Sequence, residues 1–192
     1  MKRLVGRVVA RVGLLSDHIR GQVLRLKSHG QIAADFRAGA GVRLHTGRLL
    51  NASVESYVGE DVHFVLGPEG VVTLGRNVWI SRGGHVCANQ AITIGDDVMV
   101  GEFTSIRDTT HSLRRTEVPM KRQGDTSGRV EIGSDVWIGR GCLLQSQGET
   151  LSVGDGAVIA AHSVVTHSVP PYEIWGGTPA RFLRVRADSD ET

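Results

Sequence analysis

The sequence predicts an all-β solenoid, in which short strands and turns wind around a narrow core. Aliphatic residues recur at a spacing of six, as in Leu74, Ile80 and Val86. Glycine often follows the aliphatic residue, and aromatic residues make up only 5% of the chain, so turns are frequent and bulky core residues are scarce. A spacing of six matches neither the helical turn of about 3.6 residues nor simple alternation. A fixed repeat is instead typical of a solenoid.

The repeat of six extends over most of the chain. Three units return the chain to its starting direction, so we expect coils of about 18 residues whose aliphatic side chains stack on those of neighbouring coils. Steps such as Gly95-Asp96-Asp97 and Gly154-Asp155-Gly156 are typical of tight corners with unusual backbone angles. The aliphatic positions are Ile32, Ala38, Leu44 and Leu50, then Val58 and Phe64, then Leu74, Ile80 and Val86, then Ile94, Val100 and Ile106, then Ile132, Ile138 and Leu144, then Val153, Ile159 and Val165.

One long insertion interrupts the repeat. Ile106 and Ile132 are 26 positions apart instead of six, so about 20 residues are inserted between them. A long excursion from a regular solenoid is more often functional than structural.

The sequence predicts three regions along the chain. They are an amphipathic helical segment over residues 1–30, a solenoid over 31–168 with an inserted loop over 108–128, and a C-terminal tail over 169–192.

The first 26 residues carry one apolar stripe at helical spacing. Its members are Leu4, Val8, Val12, Leu15, Ile19, Val23 and Leu26. Arginines flank the stripe and interrupt every apolar run, which fits neither a signal peptide nor a membrane span. Two interpretations remain open. The helix packs on its own domain or on a neighbouring subunit, or residues 1–26 make a peripheral contact with an anionic membrane.

Charge and cysteine content narrow the class of protein. The 22 basic and 20 acidic residues give a formal charge of +2, without the strong basic excess that nucleic-acid binding requires. Cys87 and Cys142 have no metal-ligand spacing and are interpreted as small buried residues in a reducing compartment. We therefore expect a cytoplasmic protein that binds no nucleic acid.

Three segments in the second half of the chain carry a family resemblance. They are Ile132-Gly133-Ser134-Asp135-Val136-Trp137-Ile138-Gly139, the stretch VGDGAVIAAHSVVT over 153–166, and Gly176-Gly177-Thr178-Pro179-Ala180-Arg181. Together they resemble the hexapeptide-repeat acyltransferases, in particular the maltose, galactoside and polysaccharide O-acetyltransferases, over roughly residues 32–184. The resemblance implies a left-handed parallel β-helix and a homotrimer with active sites between neighbouring subunits. It also implies O-acetyl transfer from acetyl-CoA to a sugar hydroxyl, with no metal required.

A histidine in the inserted loop is the candidate catalytic base. A hydroxyl is a poor nucleophile near neutral pH and needs a base, and histidine titrates in that range. By resemblance, His111 fills this role at the start of the loop. Asp108 is expected either to orient the imidazole of His111 or to hold the turn. Asn89 resembles an acceptor-contacting asparagine of sugar acetyltransferases, and the other interpretation is a corner asparagine.

Coenzyme A requires a long groove for its pantetheine arm and cations for its phosphates. Arginine suits the phosphates because its planar guanidinium group binds them as a fork. One member of the set, His167, stands where the family commonly has a lysine. By resemblance, the candidate cofactor-binding residues are Trp137, Gly139, Arg140, Ala161, Thr166, His167, Arg181 and Arg184.

Three other functions remain open on the same solenoid. An amino-sugar N-acetyltransferase needs less base assistance, since an amine is a better nucleophile than a hydroxyl. A metalloenzyme resembling the γ-class carbonic anhydrases needs about three converging ligands, and the chain offers His63, His85, His111 and His162. A non-catalytic trimeric scaffold would bind no acyl-coenzyme A.

Overall fold

An N-terminal helix precedes a parallel β-helix with three flat faces. The computed structural model describes residues 2–45 and 49–186, and within them the side chains from residue 13 onward. The helix, α1, covers Lys2–Lys27. The strands are short, and each coil of the chain contributes one strand to each face in turn.

The strands, numbered in chain order, divide among the faces as follows. Face 1 contains β1 (Arg37–Ala38), β4 (Tyr57–Val58), β7 (Trp79–Ile80), β10 (Met99–Val100), β15 (Trp137–Ile138), β18 (Val158–Ile159), β20 (Glu173–Gly177) and β21 (Ala180–Val185). Face 2 contains β2 (Arg43–His45), β5 (His63–Leu66), β8 (His85–Ala88), β11 (Ser105–Arg107), β16 (Leu143–Gln145) and β19 (Val164–Val165). Face 3 contains β3 (Leu49–Ala52), β6 (Val71–Leu74), β9 (Ala91–Ile94), β14 (Arg129–Ile132) and β17 (Thr150–Val153). The inserted loop adds a separate pair, β12 (Thr109–His111) and β13 (Asp125–Ser127), with a short 3-10 helix over Met120–Arg122.

Strands of successive coils pair in parallel and in register. On face 1, Tyr57 pairs with Trp79, and Trp79 pairs with Met99. These partners lie 22 and 20 positions apart, so a coil is longer than the length of about 18 residues expected from three repeat units. The expectation is wrong because the corner between faces 2 and 3 contains residues outside the repeat, such as residues 67–70 between β5 and β6.

Aliphatic side chains form continuous stacks along the core. Alternation along each strand turns every second residue inward. The residues at the predicted repeat positions are buried, apart from the half-buried Leu44, which confirms the predicted core. On face 1 the stack consists of Val58, Ile80, Val100, Ile138 and Ile159.

Several corner residues adopt the left-handed backbone conformation that the Gly- and Asp-rich steps predict. Asp97 has a φ angle of 57° and Gly156 a φ angle of 67°. Asn77, one coil earlier, has a φ angle of 53°, and its side-chain amide donates to Oδ1 of Asp97 at 2.8 Å. Short polar side chains tolerate this conformation because they hydrogen-bond locally. The stacking of corners therefore supplies the partner for each of these two polar side chains.

Helix α1 covers the open end of the first coil. Gly21 lies against the carbonyl group of Phe36, and any side chain there would collide with that carbonyl. Nε of Arg20 donates to the carbonyl oxygen of Ala38 at 3.0 Å, and Leu24 is buried. The helix thus packs on its own domain, in agreement with one of the two interpretations.

The apolar stripe of α1 does not make this contact. Leu15, Ile19, Val23 and Leu26 are exposed on the surface of the helix. The helix itself therefore packs on its own domain, whereas the described residues of its stripe make no contact with that domain. The side chains at positions 4, 8 and 12 of the stripe lie outside the described residues. Over the described part of the chain, no helix has the length and apolar character that a membrane crossing requires.

The chain after residue 168 continues the solenoid. Val169 forms a β-bridge with Val153. β20 then pairs in parallel with β18 as a further strand of face 1, and β21 folds back along β20 in antiparallel orientation. The segment expected to be a tail thus forms a hairpin that completes face 1, and residues 187–192 lie outside the described part of the chain.

Candidate active site

The inserted loop leaves and rejoins the solenoid at the corner between faces 2 and 3. The backbone N–H of Gly128 donates to the carbonyl oxygen of Asp108 at 2.8 Å, which closes the base of the loop. β12 and β13 then pair in antiparallel orientation, and His111 lies opposite Asp125. The loop is therefore a hairpin that carries His111 outward from the corner.

Asp108 holds the corner from which this hairpin starts. Its carboxylate is buried and accepts hydrogen bonds at 2.7 Å from the backbone N–H groups of Asn89 and Gln90, one coil earlier. Burial raises the pKa of Asp108, and the hydrogen bonds from these N–H groups act in the opposite direction. Of the two roles expected for Asp108, the structure supports the turn and not the orientation of His111.

Asn89 supports the same corner. Its side-chain amide lies 3.2 Å from Oγ1 of Thr109 and 3.4 Å from Oγ of Ser127, and these two hydroxyls lie 3.1 Å from each other. Thr109 and Ser127 are opposite residues at the base of the hairpin. The amide nitrogen expected to contact the acceptor thus ties both strands of the hairpin to the solenoid, as a corner asparagine does.

His111 has a carboxylate partner that the sequence analysis missed. Nδ1 of His111 lies 2.8 Å from Oδ1 of Asp125, across the hairpin. The His111 side chain is 78% exposed, so the ring stands clear of its own solenoid. A carboxylate at Nδ1 favours the tautomer with the proton on Nδ1, in which Nε2 is free to accept a proton.

A groove runs along face 1 and the following corner. It has a volume of about 740 Å³ and brings together five of the predicted cofactor residues, namely Trp137, Gly139, Arg140, Ala161 and Arg184. Its other apolar lining residues, which were not predicted from the sequence, include Met99, Val158, Ile159 and Ile174.

The groove lining is mostly apolar and carries three arginines and two acidic residues, Glu102 and Asp135. The Trp137 side chain is 54% exposed, on the outer surface of β15. Arg140, Arg184 and Arg186 contribute cations to the lining, and Arg186 forms an ion pair of 2.8 Å with Asp135. Arg140 and Arg184 therefore remain the candidates for binding an anionic ligand.

The other predicted cofactor residues lie elsewhere. Thr166 and His167 occupy the corner between faces 2 and 3, beyond β19, and Oγ1 of Thr166 lies 3.1 Å from Nδ1 of His167. Arg181 is on β21, where its guanidinium donates to the carbonyl oxygen of Ala180. The predicted set thus divides among the groove on face 1, the outer strand β21 of the same face, and the corner from which the His111 hairpin also projects.

The four histidines of the metalloenzyme alternative do not converge. His63 and His85 are on face 2, His111 is on the hairpin, and His162 is at the corner between faces 1 and 2. Among the described residues, no group of three or more histidine, cysteine, aspartate or glutamate side chains is arranged to hold a metal ion.

Comparison with known proteins identifies the family. A hexapeptide-repeat acetyltransferase from Vibrio cholerae, solved with acetyl-CoA, is 32% identical, and the match covers 78% of this chain and 73% of that one, with a TM-score of 0.59. The chain belongs to the hexapeptide-repeat acetyltransferases. The predicted fold, a left-handed parallel β-helix after an N-terminal helix, is thereby confirmed. No protein-family model matches the sequence.

Two curated relatives support the same family. The galactoside O-acetyltransferase of Escherichia coli is 28% identical over 137 residues, which cover 71% of this chain and 64% of the relative. A "probable acetyltransferase" of Mycobacterium tuberculosis is 31% identical over 150 residues, which cover 77% of this chain. The chain spans about half of the length of this second relative, since the match covers 49% of it.

The corner role of Asp108 predicts a specific loss of stability. Asp108→Asn keeps one acceptor oxygen but turns an amide N–H₂ group toward a backbone N–H. We expect the free energy of unfolding, measured by urea denaturation, to fall by about 1–3 kcal/mol, because a buried donor loses its partner.

Asp155→Asn is the matched control for this prediction. Asp155 is an exposed corner aspartate whose Oδ1 accepts a single backbone hydrogen bond, from Ser134 at 2.7 Å, and asparagine retains that acceptor. Equal stabilities of the Asp108→Asn and Asp155→Asn variants would contradict the corner role.

Proposed function

We propose that this chain transfers an acetyl group from acetyl-CoA to a hydroxyl group of a sugar, with His111 as the general base. The pairing of the His111 imidazole with the Asp125 carboxylate, on a hairpin held away from the solenoid, carries this proposal. The proposal is supported by the family, in which the Vibrio cholerae protein binds acetyl-CoA and the Escherichia coli relative is a galactoside O-acetyltransferase.

His111 and Asp125 provide the proton transfer that the reaction requires. With its proton on Nδ1 directed at Asp125, the ring accepts the proton of the acceptor hydroxyl at Nε2. The resulting oxygen nucleophile attacks the thioester carbonyl carbon, and the negative charge moves to the carbonyl oxygen. Collapse of this tetrahedral intermediate breaks the carbon–sulfur bond, and the imidazolium returns its proton to the leaving thiolate. The Asp125 carboxylate stabilises the imidazolium that exists between the two proton transfers.

The groove on face 1 fits the elongated donor. Its mostly apolar lining suits the pantetheine arm, and the exposed Trp137 ring provides a flat surface beside it. Arg140 and Arg184 in this lining suit the phosphates, since bonds between guanidinium and phosphate are charge-assisted and often bidentate. Thr166 and His167 lie outside this lining, and in the proposal they contact the donor from the corner between faces 2 and 3 of a second copy. Arg181 also lies outside the lining, on β21 of face 1, the strand that carries Arg184.

The positions of His111 and the groove support a homotrimer. His111 projects from the corner between faces 2 and 3, whereas the groove lies on face 1 and the corner after it. Each chain therefore offers two halves of a site at different corners of a triangular prism. When three copies are arranged around a three-fold axis, the corner of one copy that carries His111 meets the groove of the next copy. Three such contacts give a closed trimer.

The buried cysteines support a cytoplasmic location. Cys87 and Cys142 are both free and buried. Unpaired thiols are typical of a reducing compartment, which is the compartment proposed for this protein.

The proposed base predicts the kinetics of two variants. We expect His111→Ala to lower kcat for acceptor-dependent thiol release from acetyl-CoA by roughly 10²–10⁴-fold, the usual contribution of a general base. Asp125→Asn should lower kcat by a smaller factor and leave KM for acetyl-CoA unchanged, because Asp125 acts through the ring of His111. His29→Ala, at an exposed histidine outside the proposed site, is the control.

A panel of sugars and amino sugars serves as the acceptor set for this assay. Turnover of hydroxyl acceptors by His111→Ala at the wild-type rate would contradict the mechanism. Activity confined to amino sugars and retained in His111→Ala would instead support the N-acetyltransferase alternative.

The proposed phosphate contact predicts a loss of coenzyme A affinity. Arg184→Ala should raise the Kd for coenzyme A, measured by titration calorimetry, by about tenfold or more, since hydrogen bonds to charged groups contribute about 1.5–3 kcal/mol. Arg129→Ala removes the same charge from an exposed position on face 3 and should leave the Kd unchanged. Equal Kd values for the two variants would remove Arg184 from the donor site.

A further inference from the structure

Helix α1 uses one side for the solenoid and leaves the other side without a described partner. Gly21 and Leu24 face the first coil. Leu15, Ile19 and Leu26 are 61%, 54% and 86% exposed, and Val23 is exposed with them. These four residues follow one another at intervals of four, four and three positions.

The two sides of α1 point in opposite directions. At about 100° of rotation per residue, the four exposed side chains fall within a band of roughly 80°. The centre of this band lies roughly 170° from the direction midway between Gly21 and Leu24. The sequence continues the same spacing toward the N-terminus at Leu4, Val8 and Val12. Over residues 15–26, the exposed stripe is thus a continuous apolar strip on the side of the helix away from the solenoid.

Positive charge is concentrated on the same helix. Residues 2–27 contain seven basic residues, Lys2, Arg3, Arg7, Arg11, Arg20, Arg25 and Lys27, and one acidic residue, Asp17, which gives +6. The whole chain carries only +2, so the remainder carries −4. The stripe therefore lies on a strongly basic element of an otherwise acidic protein.

This charge distribution selects the surface that the stripe contacts. If the stripes of two copies paired, two helices that each carry a net charge of +6 would lie side by side. Each helix has one aspartate, and the like charges of the two helices would repel each other. An anionic lipid surface offers acyl chains to the stripe and phosphate groups to the arginines and lysines. Long basic side chains reach such phosphates while their methylene stems lie along apolar surface.

We propose that α1 lies in the plane of an anionic lipid bilayer and holds the solenoid at the membrane surface. The stripe enters the boundary between headgroups and acyl chains, and the basic side chains contact lipid phosphates. The contact between Gly21 and Phe36 fixes the helix on the first coil, so the solenoid stays on the aqueous side. The proposal rests on the helix alone and does not depend on the proposed acetyl transfer.

Sedimentation of the full-length chain with vesicles tests the proposal. We expect binding to vesicles of phosphatidylglycerol mixed with phosphatidylcholine, weaker binding to phosphatidylcholine alone, and a decline with salt as the lipid charge is screened. Ile19→Ser combined with Leu26→Ser should weaken binding by roughly tenfold or more, since two apolar side chains leave the lipid. Leu14→Ser, a single substitution at a 52% exposed leucine outside the stripe, is the control.

The charge component has its own variant. Arg25→Ala combined with Lys27→Ala should weaken binding to the anionic vesicles by roughly fivefold per side chain and leave binding to phosphatidylcholine unchanged. The dependence of vesicle binding by the wild-type chain on lipid charge and salt tests the proposal without any variant. The proposal can therefore be tested even if a variant folds poorly.

Three results would overturn the proposal. They are failure of the wild-type chain to bind anionic vesicles at low salt, equal binding by the stripe variant and by Leu14→Ser, and dissociation of an oligomer by the stripe variant in the absence of lipid. The last result, measured by analytical ultracentrifugation, would assign the stripe to a contact between copies.

Discussion

The in-register stacking of parallel coils is the constraint on which the rest of the structure depends. Backbone N–H groups of one coil donate to carbonyl groups of the next, as from Gly59 to Ile80 at 2.7 Å and from Gly101 to Ile138 at 2.8 Å. The side chains of a strand alternate between inside and outside, so a slip of one residue would expose an entire aliphatic stack. The register therefore also fixes which residues meet at each corner.

The candidate site is a consequence of this register. Asp108 ends one passage across face 2, and stacking places its carboxylate beside the backbone N–H groups of Asn89 and Gln90 from the previous coil. Because these hydrogen bonds fix Asp108 on the previous coil, the chain can leave the solenoid as a hairpin while the coils on either side remain stacked. The hairpin then places His111 opposite Asp125, and the ring projects away from its own prism.

Much of the fold is predictable from the sequence, because the six-residue period indicates both where the strands lie and which residues face the core. The buried stack of Val58, Ile80 and Val100 follows directly from it. The coil length does not, because corner residues such as 67–70 lie outside the repeat and contribute no aliphatic signal. The apolar stripe of α1 was visible, but amphipathicity alone does not reveal which side of a helix meets its domain.

The site was predictable in part. His111 followed from the loop and the family resemblance, but Asp125 was missed, although the loop offered a signal. In an antiparallel hairpin closed between Asp108 and Gly128, residues at equal distances from the two ends lie opposite each other, which pairs His111 with Asp125. Met99 and Ile174 were missed for another reason, since apolar residues from separate coils form a groove only after the coils align.

Activity of mixed oligomers is the most direct test of a site built from two copies. Chains carrying His111→Ala would be assembled with chains whose groove is blocked by Ala161→Trp, and acceptor-dependent thiol release would be measured. Each variant alone should be inactive, and the mixture should recover activity because the His111 of one chain meets the open groove of its neighbour. A mixture as inactive as its two components would contradict the account, since a site contained within one chain cannot be restored by exchange of subunits.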